Sequence, residues 1–261
     1  MATARTPIGV TFSVWKALFL REAVHRLFGS RAAWVWLLLE PVVHIAFIVV
    51  IMTVVRMRSV GGIDTAVWIM VGMVGFFMFK RAASQGMNAV GSNQALFAYR
   101  QVKPVDTVLV RAGLEAFLML LVSFVLFAGA GILGLDVVPV NPLAALEGIF
   151  GLWLIGLGFG LIGSVASALI PELGKIIELM MTPLYFLSGV MLPIIHIPMP
   201  YREWLMYNPL PNGLEAVRLG FFPYYQAVPE TSIAYLYTFA LIMVFFGLAL
   251  HVRFALRLAT Q

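Results

Sequence analysis

The 261-residue chain contains no cysteine, which removes disulfides, thiolate nucleophiles and cysteine metal sites together while leaving the compartment open. Charge is scarce as well: Asp, Glu, Lys and Arg make up 11% of the residues, against roughly 25% in an ordinary soluble domain. The four histidines, His25, His44, His196 and His251, stand singly, with no H-E-x-x-H and no other metal-ligand spacing, so no metal site is expected. A phosphate-cradling G-x-x-x-x-G-K-[ST] loop is also missing. The one Gly-Lys pair, Gly174-Lys175, is followed by Ile176 and has Leu169 where the first glycine would stand. The chain therefore has no nucleotide loop of its own, and neither a catalytic residue nor a cofactor is assigned to it. The halves show no internal repeat, which speaks against an inverted-repeat secondary carrier. A membrane-embedded glycosyl- or phosphotransferase acting on lipid-linked sugars would need a carboxylate or histidine cluster at one membrane face, and none is found.

What is abundant is apolar surface. Hydrophobic residues make up 62% and the mean hydropathy is +0.97, far more than one soluble core hides. Several runs reach the roughly 20 residues that cross a hydrocarbon layer of about 30 Å, so an all-α integral membrane protein is expected rather than a barrel. Six spans are placed at 33–55, 66–90, 105–133, 143–169, 174–192 and 232–255. The first thirty residues lack the short apolar core and small-residue cleavage site of a removable signal peptide. Leu20, Val24, Leu27 and Phe28 share one helical face there, with Arg21, Glu22, His25 and Arg26 opposite. This predicts a helix lying along the membrane surface, or else a simple extension of the first span. With six spans and both termini in the cytoplasm, only Arg56, Arg58, Arg202 and Arg218 of the 17 Lys and Arg residues fall outside. The net charge of +5 then reflects topology and gives no reason to expect nucleic acid.

Three features inside this frame carry chemistry. Glu40 and Glu115 sit in apolar surroundings, where a carboxylate is expensive unless it is paired or faces water. Arg111 and Glu115 have the i,i+4 spacing of a pair on one helix face, whereas Glu40 can cap a neighbouring helix, meet His44 one turn away, or face an interior pathway. In span four, Gly156, Gly160, Ser164 and Ala168 recur every four residues, the pattern that lets helix backbones approach, within one subunit or between two. Between spans two and three, GSNQALFAYRQVKPVD predicts a short helix capped by Ser92 or Asn93 and running through Tyr99, Arg100 and Gln101, with Pro104 ending it.

The stretch YFLSGVMLPIIHIPMPYREWLMYNPLPNGLEAVRLGFF, residues 185–222, is too rich in proline to span and too apolar to be a solvated linker. Pro198 and Pro200 can open a helix through Arg202–Tyr207, Asn208-Pro209 can break it, and a second piece would run over Gly213–Phe222. The order S-G-V-M-L-P, I-P, N-P-L, L-E-A-V-R before the last span, carried here by Ser188, Gly189, Pro193, Pro198, Asn208, Pro209, Leu210, Glu215 and Arg218, resembles the signature of type-2 ABC exporter permeases. Length and layout resemble in particular the membrane subunits of polysaccharide exporters, of the capsular (KpsM-type) and O-antigen groups.

The resemblance implies a single transmembrane domain over 1–261, with an interfacial helix in 1–32, a cytoplasmic coupling region in 91–104 and an external re-entrant gate in 193–231. It implies a homodimer in the bacterial inner membrane that works with two copies of a separate ATPase, which binds the ATP and Mg. The cargo would be a lipid-linked acidic polysaccharide, with membrane lipids and periplasmic or outer-membrane export components as further partners. Coupling to the ATPase would fall to Ser92, Asn93, Gln94, Leu96, Phe97, Tyr99, Arg21 and Arg26. Candidates for the cargo path are Lys80, Arg81 and Arg100 on the inner side and Arg56, Arg58, Tyr201, Arg202, Trp204, Tyr207 and Arg218 on the outer side. The external arginines have a cheaper explanation as ion pairs with Glu203, Glu215 or Asp64, and the aromatics, with Tyr224 and Tyr225, as an interfacial belt. Another cargo, such as a drug, a lipid or a teichoic-acid-like polymer, would suit the same family.

Overall fold

Long apolar runs punctuated by Pro, Asn and Gly fold here into ten α-helices among the described residues. The computed structural model describes residues 7–29, 32–55, 59–60, 62–99 and 101–260. In chain order the helices are α1 (Pro7–Phe28), α2 (Ala33–Val55), α3 (Thr65–Met87), α4 (Pro104–Ile132), α5 (Pro142–Leu169), α6 (Pro171–Leu187), α7 (Tyr201–Met206), α8 (Pro209–Phe221), α9 (Ile233–Arg253) and α10 (Ala255–Ala259). A two-residue antiparallel pairing, Ser59–Val60 with Ile63–Asp64, precedes α3, and the Asp64 carboxylate caps that helix by accepting from the Ala66 and Val67 amides. A 3-10 helix occupies Gly91–Ala98.

Among the described residues, five helices are long and apolar enough to cross a membrane: Val35–Val54 within α2, then α3, α4, α5 and α9. They coincide with five of the six expected spans. The remaining expected span, at 174–192, falls on α6, which with 17 residues is not among these five and ends at Leu187. Its chain then turns through Gly189 at φ +73°, a conformation that glycine adopts without strain.

Helix α3 is the axis of the bundle. It packs against α2, α4, α5, α6 and α8, and nearly all its side chains are buried, including Trp68, Phe76 and Phe79. The small-residue stripe of α5 lies against α3 of the same chain. A Cβ on Gly156 would sit 2.5 Å from the Phe79 carbonyl oxygen, and one on Gly160 would sit 3.1 Å from the Gly86 Cα. The stripe thus serves packing within the subunit. By contrast α2 and α9 leave most of their apolar side chains uncovered, with Trp36, Phe47, Val50, Phe245 and Phe246 all exposed, as suits lipid or another helix.

Helix α1 has its two faces turned opposite to those of a soluble amphipathic helix. Leu20, Val24 and Phe28 point away from the bundle, while Glu22 and Arg26 turn toward it. This is the arrangement expected where the outside is hydrocarbon and the inside holds charge partners.

The α3–α5 approach gives a direct test. Gly156→Ala is expected to lower stability by about 1–3 kcal/mol through overpacking. Gly113→Ala, where a Cβ meets nothing within 4 Å, should be neutral or stabilising by up to about 1 kcal/mol because alanine is the better helix former. Melting temperatures of the detergent-solubilised proteins would separate the two.

Candidate functional site

Two charge clusters organise the two ends of the bundle. At the end formed by α1, the 3-10 helix and the adjoining ends of α2, α3 and α4, polar side chains of α1 reach three neighbouring elements. The Trp15 indole N–H donates to Asp106 Oδ1 (2.8 Å), and Arg21 donates to Asn93 Oδ1. Arg26 donates to Glu22 (3.1 Å), to Gln85 (2.8 Å) and to the buried Glu115. Arg111 is bound twice to Glu22 Oε1, at 3.0 and 2.7 Å, and reaches Ser92 Oγ at 3.3 Å. Arg81 donates to the second oxygen of Glu115 at 2.8 Å.

The expected Arg111–Glu115 pair is therefore corrected. With two cations of other helices on Glu115 and a carboxylate of α1 on Arg111, each group has partners that link elements, and a pair within α4 would have linked none. Burial raises the Glu22 carboxyl's pKa, but the guanidiniums of Arg111 and Arg26 outweigh it and leave the group below its ordinary value of 4.5.

The coupling segment also differs from expectation. It is a 3-10 helix over Gly91–Ala98 with Val90 at its start, and neither Ser92 nor Asn93 caps it. Ser92 Oγ donates back to the Asn88 carbonyl at 2.8 Å, and Asn93 Nδ2 to the Ala89 carbonyl at 2.8 Å. Phe97 is buried, whereas Gln94, Leu96 and Tyr99 are partly or largely exposed. Arg100 lies outside the described residues, as do Arg56 and Arg58. Pro104 starts α4 directly after the segment.

The second cluster, at the opposite end, explains the residues of the signature stretch. Arg218 is completely buried, with its guanidinium carbon 3.6 Å from the centroid of the Trp68 ring. It donates to Glu215 at 3.1 Å and to the Gly189 and Val190 carbonyls at 2.9 and 3.0 Å. Glu215 also accepts from the Tyr225 hydroxyl at 3.0 Å on both oxygens and from the Val228 amide at 3.2 Å. Gly72 makes the approach feasible, since a Cβ there would lie 2.5 Å from Arg218 Nη2.

Asn208 accepts from the Leu210 amide, which starts α8 at Pro209 rather than at Gly213, and donates to Ser188 Oγ at 3.3 Å. Pro193 precedes a 3-10 turn over Ile194–His196, and the Pro198 carbonyl accepts from the Arg202 amide at 3.3 Å. Arg218, expected either beside a path or in an ion pair with an acid such as Glu215, makes that pair inside the fold, and Tyr225, expected in a belt or against sugar, is partly buried beside it. Arg202 pairs with Glu230 at 2.9 Å rather than with Glu203. Tyr201, Trp204, Tyr207 and Tyr224 remain exposed.

Between the clusters a trough runs from the α1 end into the α2–α3 seam. Its wider mouth, about 910 Å³, is lined among others by Arg21, Arg26, Arg81 and Arg111. Its inner part, about 390 Å³, is lined by Glu40, His44, Phe77, Lys80 and Ser84. Glu40, Arg81 and Gln85 line both parts. Sequence reasoning missed Trp68, Gly72, Glu22 and Gln85 as partners. Each meets an arginine brought from a distant part of the chain, a pairing that local spacing does not mark.

Replacing Glu115 with Gln removes the charge partner of Arg81 and one of the partners of Arg26, and is expected to cost about 3 kcal/mol, the lower end for breaking a buried pair. The melting temperature should fall and α1 should become sensitive to protease. For Glu22, whose folded pKa is depressed, the stabilisation is present above its ordinary 4.5 and lost as pH falls through the lower folded value. The melting-temperature advantage of the unaltered protein over Glu22→Gln should therefore hold at neutral pH and shrink below pH 4.5. An advantage that stayed constant there would contradict the pairing.

Residues 13–222 match the model of the family described as ABC-2 type transporter. The polysialic acid transport protein KpsM of Escherichia coli is 34% identical over 248 residues, covering 95% of this chain and 96% of that protein. The capsule polysaccharide export inner-membrane protein CtrC of Neisseria meningitidis is 24% identical, covering 92% and 90%, and BexB of Haemophilus influenzae, which carries the same description, is 23% identical, covering 95% and 93%. A family model spanning most of the chain and full-length similarity to membrane subunits of export systems agree with the helical, apolar architecture: the chain belongs to the ABC-2 type transporter family.

Proposed function

We propose that this protein is the permease of an ATP-driven exporter that moves a lipid-linked acidic polysaccharide across the bacterial inner membrane. The observation that carries the reading is the end-to-end similarity to KpsM, with CtrC and BexB beside it. In this reading the permease is a homodimer with both termini in the cytoplasm and six spans per copy, α6 being the fifth. The α1 end faces the cytoplasm. Each copy meets one ATPase subunit, which binds ATP and Mg.

Gln94 and the half-buried Leu96 of the 3-10 helix, with the exposed Tyr99 at its end, meet the ATPase, and the ion pairs of Arg21, Arg26 and Arg111 carry its movement to α1, α3 and α4. Ser92 and Asn93 link the segment to that cluster, and Phe97 anchors it in the bundle. Lys80, Arg81 and Arg100 attract the anionic cargo at the inner entrance. α7 and α8 form the external re-entrant gate, braced by Glu215 and Arg218 and fringed by Tyr201, Arg202, Trp204 and Tyr207, with Arg56 and Arg58 on the same side. Periplasmic and outer-membrane components would receive the polymer.

The competing reading within the family, export of a drug, a lipid or a teichoic-acid-like polymer, has no comparable full-length support. Deleting the gene in its native host and fractionating the surface polysaccharide distinguishes them. Polymer retained in the cytoplasm and restored to the surface by a plasmid copy is the expected result. Normal surface polymer would refute the cargo.

A further inference from the structure

The inner part of the trough holds charged groups that the fold does not use. Among the described residues, neither Glu40 nor Lys80 has a hydrogen bond or ion pair, and the Lys80 Nζ lies 5.6 Å from the centroid of the Phe77 ring. Its neighbour Arg81 is taken by Glu115. His44 meets the same Phe77 ring edge-on at 5.6 Å. Seven residues separate Glu40 from Ala33, the start of α2, and Lys80 from Met87, the end of α3. At about 1.5 Å per residue both groups therefore lie ~10 Å in from the same end of the bundle. A carboxylate and an ammonium at that depth are costly unless water or a ligand reaches them, and the cleft supplies the access.

Pro41 bears on one more polar group, the Leu37 carbonyl. It has no N–H to give the Leu37 carbonyl, and Leu37 and Pro41 line the two parts of the trough. A bare phosphate would pair with Lys80 but would give the Glu40 carboxylate no hydroxyl to accept from. An acidic sugar offers an anion together with hydroxyls a few bonds away, and apolar C–H faces that suit the Phe77 ring.

We propose that the α2–α3 trough is a binding station for an acidic sugar unit of the cargo, with Lys80 pairing its anion, Glu40 and His44 holding its hydroxyls and Phe77 supporting its apolar face. The proposal rests on the polysaccharide reading above and names the side chains that would read the polymer.

The test uses the permease with its ATPase in lipid nanodiscs without nucleotide, titrated with a fluorescent oligomer of the host's surface polysaccharide. The oligomer is supplied with its lipid end and with that end hydrolysed away. Lys80→Gln is expected to weaken binding of both forms about tenfold or more, and Glu40→Gln about threefold or more, the scale of one charged and one weaker hydrogen bond. Lys80→Arg should restore most of the affinity. Loss confined to the lipid-bearing form would place the contact on the lipid end and overturn the sugar assignment.

On the unaltered protein, the oligomer should protect Lys80 from acylation, read by mass spectrometry, and leave the exposed Lys16 reactive. This readout does not depend on any variant folding. Equal acylation of Lys80 with and without oligomer would refute the site. Polymer trapped by gene deletion but bound and exported normally by Lys80→Gln and Glu40→Gln would reject the station alone, whereas normal surface polymer in the deletion strain would reject the reading on which it rests.

Discussion

The constraint on which this structure most depends is the cost of holding charge away from water. A guanidinium or carboxylate inside an apolar bundle is tolerated only when partners replace its hydration, and the protein meets this condition at two places. At one end, Glu22 and Glu115 are shared among Arg26, Arg81 and Arg111. At the other, Arg218 is enclosed by Glu215, two backbone carbonyls and the Trp68 ring. Because each set draws its members from several helices, satisfying the charges also fixes where those helices stand. α1 is held to α3, α4 and the 3-10 helix, and the loop after α6 is held to α3 and α8.

This explains how a short proline-rich stretch stays ordered next to the bundle. Backbone groups freed by Pro and Gly need partners, and the Gly189 and Val190 carbonyls find theirs in Arg218. Asn208 and Asn212 do the same for the junction of α7 and α8, the latter donating to the Met206 carbonyl at 3.0 Å and accepting from the Ser232 amide at 2.8 Å. The arginine that reads in sequence as an outer-side cation, by a path or paired with an acid such as Glu215, is thus an internal brace. Polar side chains outside these braces, above all Glu40, His44 and Lys80, are available for other work.

Much of the fold was legible because membrane spans follow from length and apolarity alone. The bounds of α2 agree with the expected span at 33–55, and those of α5 begin and end within a residue of 143–169. What could not be read was pairing across the chain. The i,i+4 spacing of Arg111 and Glu115 is a local cue, whereas Arg111 bonds to Glu22, 89 positions away. Local spacing cannot foresee a partner delivered by another helix. The same holds for Trp68 and Gly72, which carry no mark in α3 until Arg218 is brought against them. Asn93 read as a helix cap because of its residue type, but the acceptor it offers is taken by Arg21. The cluster at 185–222 was found through its family-like residue order, and only the geometry gives that order a physical reason.

Reconstitution tests the central claim most directly. Vesicles carrying this protein and its ATPase, oriented with the α1 end outward, would be given lipid-linked polysaccharide and ATP outside and then treated with a glycanase that cannot cross the bilayer. Polymer that becomes protected only when permease, ATPase and ATP are all present is the predicted result. Protection that needs no ATPase, or that follows an ion gradient with ATP withdrawn, would contradict the account.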